Sequence, residues 1–135
     1  MDKIIYKLDG VPIAWKRVNP GRGTTKPYDE QKREKMVAGY HIRQQHGDRP
    51  MYHGPLHFDA QFFFPIPKQL HKRIAQIQGT FYPFRPDLDN QLKFLLDTVQ
   101  GVLYENDSCI ASICAKRLYD DGNGPRTLFY FEEIK

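Results

Sequence analysis

Apolar residues recur at helical spacing between residues 87 and 101, and this stretch carries the clearest pattern of the chain. The apolar stripe consists of Leu88, Leu92, Leu95, Leu96 and Val99. Pro86 disfavours a helical conformation at the residue before it, and Asp87 is a good N-cap residue. Gly101 is typical of a helix C-terminal end. The pattern therefore predicts an amphipathic helix that begins near Asp87 and ends at Gly101.

Alternation and helical periodicity predict the remaining elements and the fold class. The predicted elements are strands at 4–8, 56–64, 108–119 and 127–132, a helix at 29–46 and a short helix within 67–84. In the first helix, Met36, Val37 and Tyr40 are expected to face inward. The last two strands are expected to pair as a hairpin across residues 120–124, which are rich in turn formers. This order predicts an α+β fold, with a single domain over residues 1–135 and helices packed on one mixed or antiparallel sheet.

Carboxylates lie on both sides of the predicted helix. Asp87 and Asp89 stand at its start, where the helix dipole favours acidic residues, so capping alone is one explanation of this pair. A second acidic segment, residues 105–108, precedes the next strand and contains Asp107. Mg²⁺ prefers carboxylate and water oxygens, and it often binds one or two protein carboxylates together with a substrate phosphate. The sequence therefore also allows a Mg²⁺ site that uses Asp87, Asp89 and Asp107.

Charge is unevenly distributed along the chain. Residues 87–107 contain five acids and one base, a net charge of −4, which leaves +8 for the remainder of a chain of net charge +4. A basic surround attracts a polyanion, whereas an acidic centre repels it unless cations neutralise that centre. This division favours a metal-dependent enzyme that acts on nucleic acid.

Two segments without acidic residues contain the candidate DNA-binding residues. These are Lys16, Arg17, Arg22 and Lys26 in the first segment, and Lys68, Lys72, Arg73 and Arg85 in or just after the second. A solvated surface loop is the alternative interpretation of the first segment. Phe81, Tyr82 and Phe84 end the second segment, where they are suited either to stacking on unpaired bases or to packing on the sheet.

The sequence Arg-Pro-Asp-Leu-Asp-Asn at residues 85–90 resembles the core motif of the RusA-type Holliday junction resolvases. The residues that extend the resemblance are Lys93, Asp97, Tyr104, Asp107 and Ser108. The resemblance implies that Asp87, Asp89 and Asp107 are metal-binding catalytic carboxylates. It also implies that Lys93 is the catalytic lysine of the family's helix. Many members have two aspartates where this chain has Asn106 and Asp107, so position 106 is not expected to be a charged ligand.

The resemblance further implies a Mg²⁺-dependent endodeoxyribonuclease that resolves four-way DNA junctions in recombination and repair, with Mn²⁺ able to substitute. A homodimer is implied, because a two-fold symmetric junction needs two symmetric nicks. Lys93 is expected to steady Asp89, contact the phosphate or protonate the leaving oxygen. Asp97, one turn further, is expected either to orient Lys93 or to form a solvated ion pair. Asn90 is expected to support the site by hydrogen bonding.

Two other classes of function fit parts of the pattern. A non-catalytic nucleic-acid-binding module would use the aspartates only as helix caps. A metal-dependent phosphoesterase that acts on small phosphates would share the metal chemistry. The two basic segments argue against the phosphoesterase, because a small substrate needs no extended basic surface.

The sequence lacks several other patterns. No apolar run approaches membrane-spanning length, and the first residues do not resemble a secretory signal. Cys109 and Cys114 lie five residues apart in one predicted strand and match neither a disulfide pair nor a zinc motif, which fits a reducing cytoplasm. The five histidines are scattered singly. Together with the resemblance, these features predict a cytoplasmic protein of a bacterium or a phage.

Overall fold

The computed structural model describes residues 3–14 and 31–135, and the backbone alone of residues 19–20 and 27–28. It has the α+β fold that the sequence predicts. The strands are β1 (Tyr6–Asp9), β2 (Asn19–Pro20), β3 (Pro27–Tyr28), β4 (Leu56–Phe64), β5 (Ile110–Tyr119) and β6 (Arg126–Glu133). The α-helices are α1 (Lys32–His46), α2 (Ile74–Ile77) and α3 (Leu88–Val99), with 3₁₀ helices at Lys68–Arg73 and Asp107–Cys109. Within the described ranges, no helix is both long and apolar enough to cross a membrane.

The main sheet has the strand order β1-β6-β4-β5. β6 is antiparallel to both β1 and β4, whereas β4 and β5 are parallel. The C-terminal end of β4 suits the interior of the sheet because it is apolar on both faces, with Phe62 and Phe64 buried on one face and Phe63 on the other. The predicted hairpin between the last two strands is wrong, since β4 lies between β5 and β6.

The connection between β5 and β6 has the predicted turn chemistry but passes the end of β4. The Asp120 carboxylate accepts hydrogen bonds from the amides of Gly122 and Gly124, at 3.0 and 2.9 Å. The Asp120 amide donates to the carbonyl of Phe64, the last residue of β4, at 2.7 Å. Buried Arg126 donates to both carboxylate oxygens of Asp121, at 3.0 and 3.1 Å. The turn-forming residues thus indicate where the chain reverses, but not which strand will lie beside it.

Helices α1 and α3 pack against the sheet face that carries Phe58 and Phe62. The predicted apolar stripe of α3 is confirmed: Leu95 and Val99 are buried, and its three other leucines are partly buried against the core. The buried face of α3 is wider than the stripe and also includes Gln91, Phe94 and Thr98. α3 contacts both α1 and the sheet, so the face that it buries is wider than one apolar stripe.

The predicted inward face of α1 is wrong. Met36, Val37 and Tyr40 are 66%, 51% and 59% exposed. The residues that α1 buries are Ala38, Gly39, Ile42 and His46. Gly39 lies against the backbone of α3: a Cβ added at position 39 would lie 3.8 Å from the backbone oxygen of Thr98, an ordinary van der Waals contact. His46 can be buried because its Nδ1 is hydrogen-bonded to the hydroxyl of Tyr6 at 2.7 Å.

Candidate functional site

One arginine ties the backbone immediately before α3 to β5. Nη1 of Arg117 donates to the carbonyl oxygen of Phe84 at 2.6 Å, and also to that of Pro86. A charged donor makes these bonds stronger than bonds between neutral groups. Asp87 follows Pro86 directly, so Arg117 helps to determine where the first carboxylate of α3 lies. This role is absent from the sequence-based prediction.

We expect replacement of Arg117 by methionine to lower the free energy of unfolding by about 1–3 kcal/mol, because two carbonyls lose a charged donor while the aliphatic part of the side chain is retained. Urea denaturation measures the loss. Lys116→Met is the matched control, since Lys116 is the exposed neighbour on β5. Equal stability of the two variants would contradict the anchoring role.

An aromatic cluster supports the same loop. Tyr82 stacks on Phe64 with ring centroids 4.2 Å apart, and its hydroxyl donates to the carbonyl of Arg85 at 3.2 Å. Phe81 and Phe84 are 70% and 55% exposed. Tyr82 therefore follows the sheet-packing interpretation, whereas the exposed rings of Phe81 and Phe84 retain surface on which an unpaired base could stack.

The acidic pair at the start of α3 is exposed, and Asp87 makes no capping hydrogen bond. Asp87 occupies the N-cap position with an extended backbone, φ −69° and ψ 145°, but its side chain makes no capping hydrogen bond. An N-cap carboxylate ordinarily accepts a bond from the amide of the second or third helical residue. Asp89 follows in the first turn, and both side chains are exposed. A capping hydrogen bond therefore does not account for Asp87, although the helix dipole still favours an acidic residue there, and the carboxylate is accessible to a cation.

Asp107 is held by a buried tyrosine. Its Oδ1 accepts a hydrogen bond from the hydroxyl of Tyr104 at 2.7 Å, and its amide donates to Oε1 of Gln100 at 2.9 Å. Burial raises the pKa of Tyr104, and the hydrogen bond to Asp107 raises it further, so the phenol keeps its proton and remains a donor. The capping role in this turn belongs to Asn106, whose Oδ1 accepts from the amide of Ser108 at 2.9 Å. The Asp107 carboxylate is therefore positioned by the core rather than by the turn.

The Tyr104→Phe variant should keep the packing of the ring and release the Asp107 carboxylate. We expect a loss of about 0.5–1.5 kcal/mol in unfolding free energy, the usual value of one hydrogen bond. Thermal or urea denaturation measures this loss. Tyr52→Phe, which removes a hydroxyl bonded to Tyr6 instead, is the control for loss of a tyrosine hydroxyl elsewhere. A Tyr104→Phe protein as stable as the wild type would argue against a positioned carboxylate.

The three candidate carboxylates do not converge within one copy of the chain. Arg117, near the end of β5, contacts the loop at the start of α3, whereas Tyr104 contacts both Asp107 and the carbonyl of Leu96 in the last part of α3. A helix rises about 1.5 Å per residue, which places Leu96 about 10 Å along the axis from Asp89. Among the residues that the structure describes, no three His, Cys, Asp or Glu side chains are grouped to hold a metal ion.

The predicted supporting residues lie along α3. Lys93 is exposed one turn after Asp89, and Asn90 is half-buried in the first turn. Asp97 lies a further turn along and forms an ion pair with Lys35 of α1, with Nζ and Oδ2 3.7 Å apart. Asp97 thus helps to join α1 to α3, a contact that sequence periodicity does not reveal.

The predicted DNA-binding residues are only partly described. Lys68, Lys72, Arg73 and Arg85 are exposed. The first three belong to the 3₁₀ helix before α2, whereas Arg85 stands two residues before Asp87. The four basic residues of the first segment, at positions 16, 17, 22 and 26, lie outside the described residues.

The α+β domain presents exposed aspartates at the start of a helix, beside exposed basic residues. This set of side chains suits a metal-dependent nuclease. The chain matches the family model described as "Endodeoxyribonuclease RusA" over residues 9–128. It therefore belongs to the RusA endodeoxyribonuclease family. It is also 24% identical, over 99% of both chains, to "Uncharacterized protein YqaN" of Bacillus subtilis (strain 168). No solved structure matches significantly.

Proposed function

We propose that this protein is a homodimeric, Mg²⁺-dependent endonuclease that resolves four-way DNA junctions by paired symmetric nicks. Membership of the RusA endodeoxyribonuclease family supports the nuclease class. The observation that carries the proposal is the carboxylate of Asp87, which stands exposed at an N-cap position that it does not cap, two residues before exposed Asp89. The Asp87 carboxylate makes no capping hydrogen bond, so its oxygens remain available as ligands of a cation.

The donor set suits a hard divalent cation. Asp87, Asp89 and Asp107 are the residues that would hold Mg²⁺, since carboxylate oxygens are its preferred protein ligands. When bound, Mg²⁺ supplies activation of water and neutralisation of charge on the scissile phosphate. The contribution of the chain is to fix the carboxylates, through Arg117 before α3 and through Tyr104 beside Asp107.

In this proposal, a second copy of the chain completes each metal site. Asp107 lies near the opposite end of α3 from Asp87 and Asp89, so one copy does not bring the three carboxylates together. An isologous dimer places the same two patches in contact twice, and it can therefore join Asp107 of one copy to Asp87 and Asp89 of the other at two equivalent sites. Two sites with a fixed separation also match the two symmetric nicks that a four-way junction requires.

Basic residues bind and orient the DNA backbone in the proposed complex. Arg85 is exposed beside the acidic pair and is suited to a phosphate next to the cleaved bond. Lys93 follows Asp89 by one turn, where its ammonium group can steady that carboxylate or contact the scissile phosphate. Lys72 and Arg73 belong to the more distant basic segment and are suited to the arms of the junction.

The decisive experiment compares a labelled four-way junction with a duplex of matched sequence, with and without Mg²⁺. The proposal expects paired nicks at symmetric positions of the junction, only when Mg²⁺ is present, and little cutting of the duplex. Tight binding of the junction without nicking would support a binding module instead. Hydrolysis of small phosphate esters without action on the junction would support a phosphoesterase.

Loss of one phosphate contact should change the salt dependence of junction binding. Lys72→Ala and Arg73→Ala should each weaken binding, and each should reduce the slope of log K against log[salt] by about 0.9 per lost contact. Titrations at several salt concentrations in the absence of Mg²⁺ measure the slope. Lys135→Ala, which removes an exposed charge near the end of the chain, serves as the control. Unchanged slopes would remove this segment from the DNA-binding surface.

A further inference from the structure

A cavity of about 510 Å³ lies between α1, α3 and the chain that follows β1. Phe62, Phe94 and Leu95 contribute apolar lining. Val11 and Val37 also line it and are 56% and 51% exposed, so apolar surface at the cavity remains in contact with water. Pockets of about 300–1,000 Å³ with mostly apolar walls and a few polar groups are typical binding sites for small planar molecules.

Gln91 lines the same cavity from α3 and carries an unsatisfied amide. Its side chain is 0% exposed. Within the described part of the chain, neither Oε1 nor Nε2 has a hydrogen-bond partner. Because the amide is out of contact with solvent, bulk water does not replace the missing bonds, and a buried polar group without partners destabilises the fold. A ligand in the adjoining cavity would satisfy both atoms once the amide turns towards it.

The chemistry of this site selects its ligand class. A glutamine amide presents a donor and an acceptor side by side. It pairs with the edge of a ligand that presents an acceptor opposite the donor and a donor opposite the acceptor. Nucleobases have such edges, and glutamine binds adenine in this bidentate way. Val11, Ile13 and Val37 line the cavity, are 56%, 39% and 51% exposed, and provide apolar surface for a planar base. Gln91 lies one helical turn from Asp87, about 6 Å along the axis, so the cavity is close to the proposed cleavage site.

We propose that this cavity receives one unstacked nucleobase of the DNA substrate, and that the Gln91 amide pairs with its donor and acceptor edge. This inference rests on the proposed function for the source of the base, since bases next to a branch point unstack more easily than bases within a duplex. The exposed guanidinium of Arg33 lies at this cavity, beside the exposed carboxylates of Asp9 and Glu34, and can contact a phosphate of the DNA backbone there.

A double-mutant cycle between protein and DNA tests the pairing. Junctions that lack a single base near the branch are bound to the wild type and to Gln91→Met, without divalent cations so that no cleavage occurs. At one position of the missing base in the junction, its loss should weaken wild-type binding about 5- to 100-fold, the range for a good bidentate pair. The same loss should weaken binding by Gln91→Met clearly less, because that variant loses only the contacts of the base with the apolar lining. Equal effects in both proteins at every position would overturn the inference.

The stability of Gln91→Met is a second test, because methionine removes the unpaired amide at similar volume. The variant should melt at or above the temperature of the wild type. A clear fall in melting temperature would show that the amide has an internal partner and would overturn the inference. Nicking of the intact junction by the wild type tests the proposed function separately. If the wild type nicks the junction but removal of a base weakens binding equally in both proteins, only the nucleobase site is rejected.

A blocking substitution gives a third test that does not depend on junction recognition. Val37→Trp should fill the cavity from its exposed rim, and Met36→Trp is the matched control on the adjacent position of α1, outside this cavity. A short single strand with 2-aminopurine should change its fluorescence on binding to the wild type and to Met36→Trp, but not to Val37→Trp. The same response from all three proteins would overturn the inference.

Discussion

The Asp89→Asn variant should bind a four-way junction at least as tightly as the wild type and should nick it about 10²–10³-fold more slowly. Asparagine keeps the size of the side chain but removes one negative charge from the proposed cation site. A metal that neutralises transition-state charge contributes several kcal/mol, and each 1.36 kcal/mol corresponds to a factor of ten in rate. Binding should not weaken, because the lost carboxylate repels the DNA backbone.

Junction binding without Mg²⁺ and single-turnover nicking with Mg²⁺ measure the two effects separately. Glu105→Gln is the matched control, since it removes one negative charge from an exposed side chain in the same acidic region. That control should nick at a rate close to that of the wild type. An Asp89→Asn protein that nicks as fast as Glu105→Gln would exclude Asp89 from the mechanism and leave the acidic pair a structural feature of α3.

The second large effect is recovery of activity when two inactive variants form one dimer. Asp89→Asn and Asp107→Asn homodimers should each be inactive, since every site lacks one carboxylate. In a heterodimer of the two, a site shared between copies can combine the intact Asp89 of one subunit with the intact Asp107 of the other. One of the two sites is then complete and should nick one strand of the junction. The other site lacks the carboxylates of both Asp89 and Asp107.

Co-expression with two different affinity tags isolates this heterodimer, and a junction labelled on each strand in turn reports which strands are cut. If each site belongs to one copy, both sites of the heterodimer carry a lesion and nicking stays at the level of the homodimers. That result would reject the shared site without rejecting the nuclease. Asn106→Asp, which adds an acidic residue beside Asp107, should be tolerated, because aspartate also caps the turn that Asn106 caps.

The fold was predictable from the sequence where local pattern decides the structure. The periodicity of α3 and the alternation of β4 predict the bounds of both elements closely, although α3 also buries Gln91, Phe94 and Thr98 and β4 also buries Phe63. α1 departs from its pattern because it buries Gly39 and His46. Gly39 packs against the backbone of α3, and His46 is hydrogen-bonded to Tyr6. The order of strands in the sheet depends on contacts between distant segments, and the turn residues before β6 do not indicate which strand pairs with β6.

The site was predictable in its residue types but not in its supports. Aspartates before and after a helix suit a divalent cation, and their roles as metal ligands stay predictions. Arg117 and Tyr104 act through bonds to residues that are distant in sequence or lie in an irregular loop. A sequence signal for Arg117 existed, since alternation along β5 places it in phase with the side chains of Ile113 and Tyr119 rather than with those of the opposite face.

The parallel pairing of β4 and β5 ties formation of the site to the order of folding. Residues 65–109, which contain α3 and all three candidate aspartates, form the single crossover between these strands. β5 cannot dock beside β4 until that long connection has closed, and the entropy of closure is paid before the new contacts form. Arg117 reaches the loop before α3 only after β5 has docked. An incompletely folded chain therefore lacks a positioned acidic pair, and the candidate site forms only once the edge strand β5 has docked.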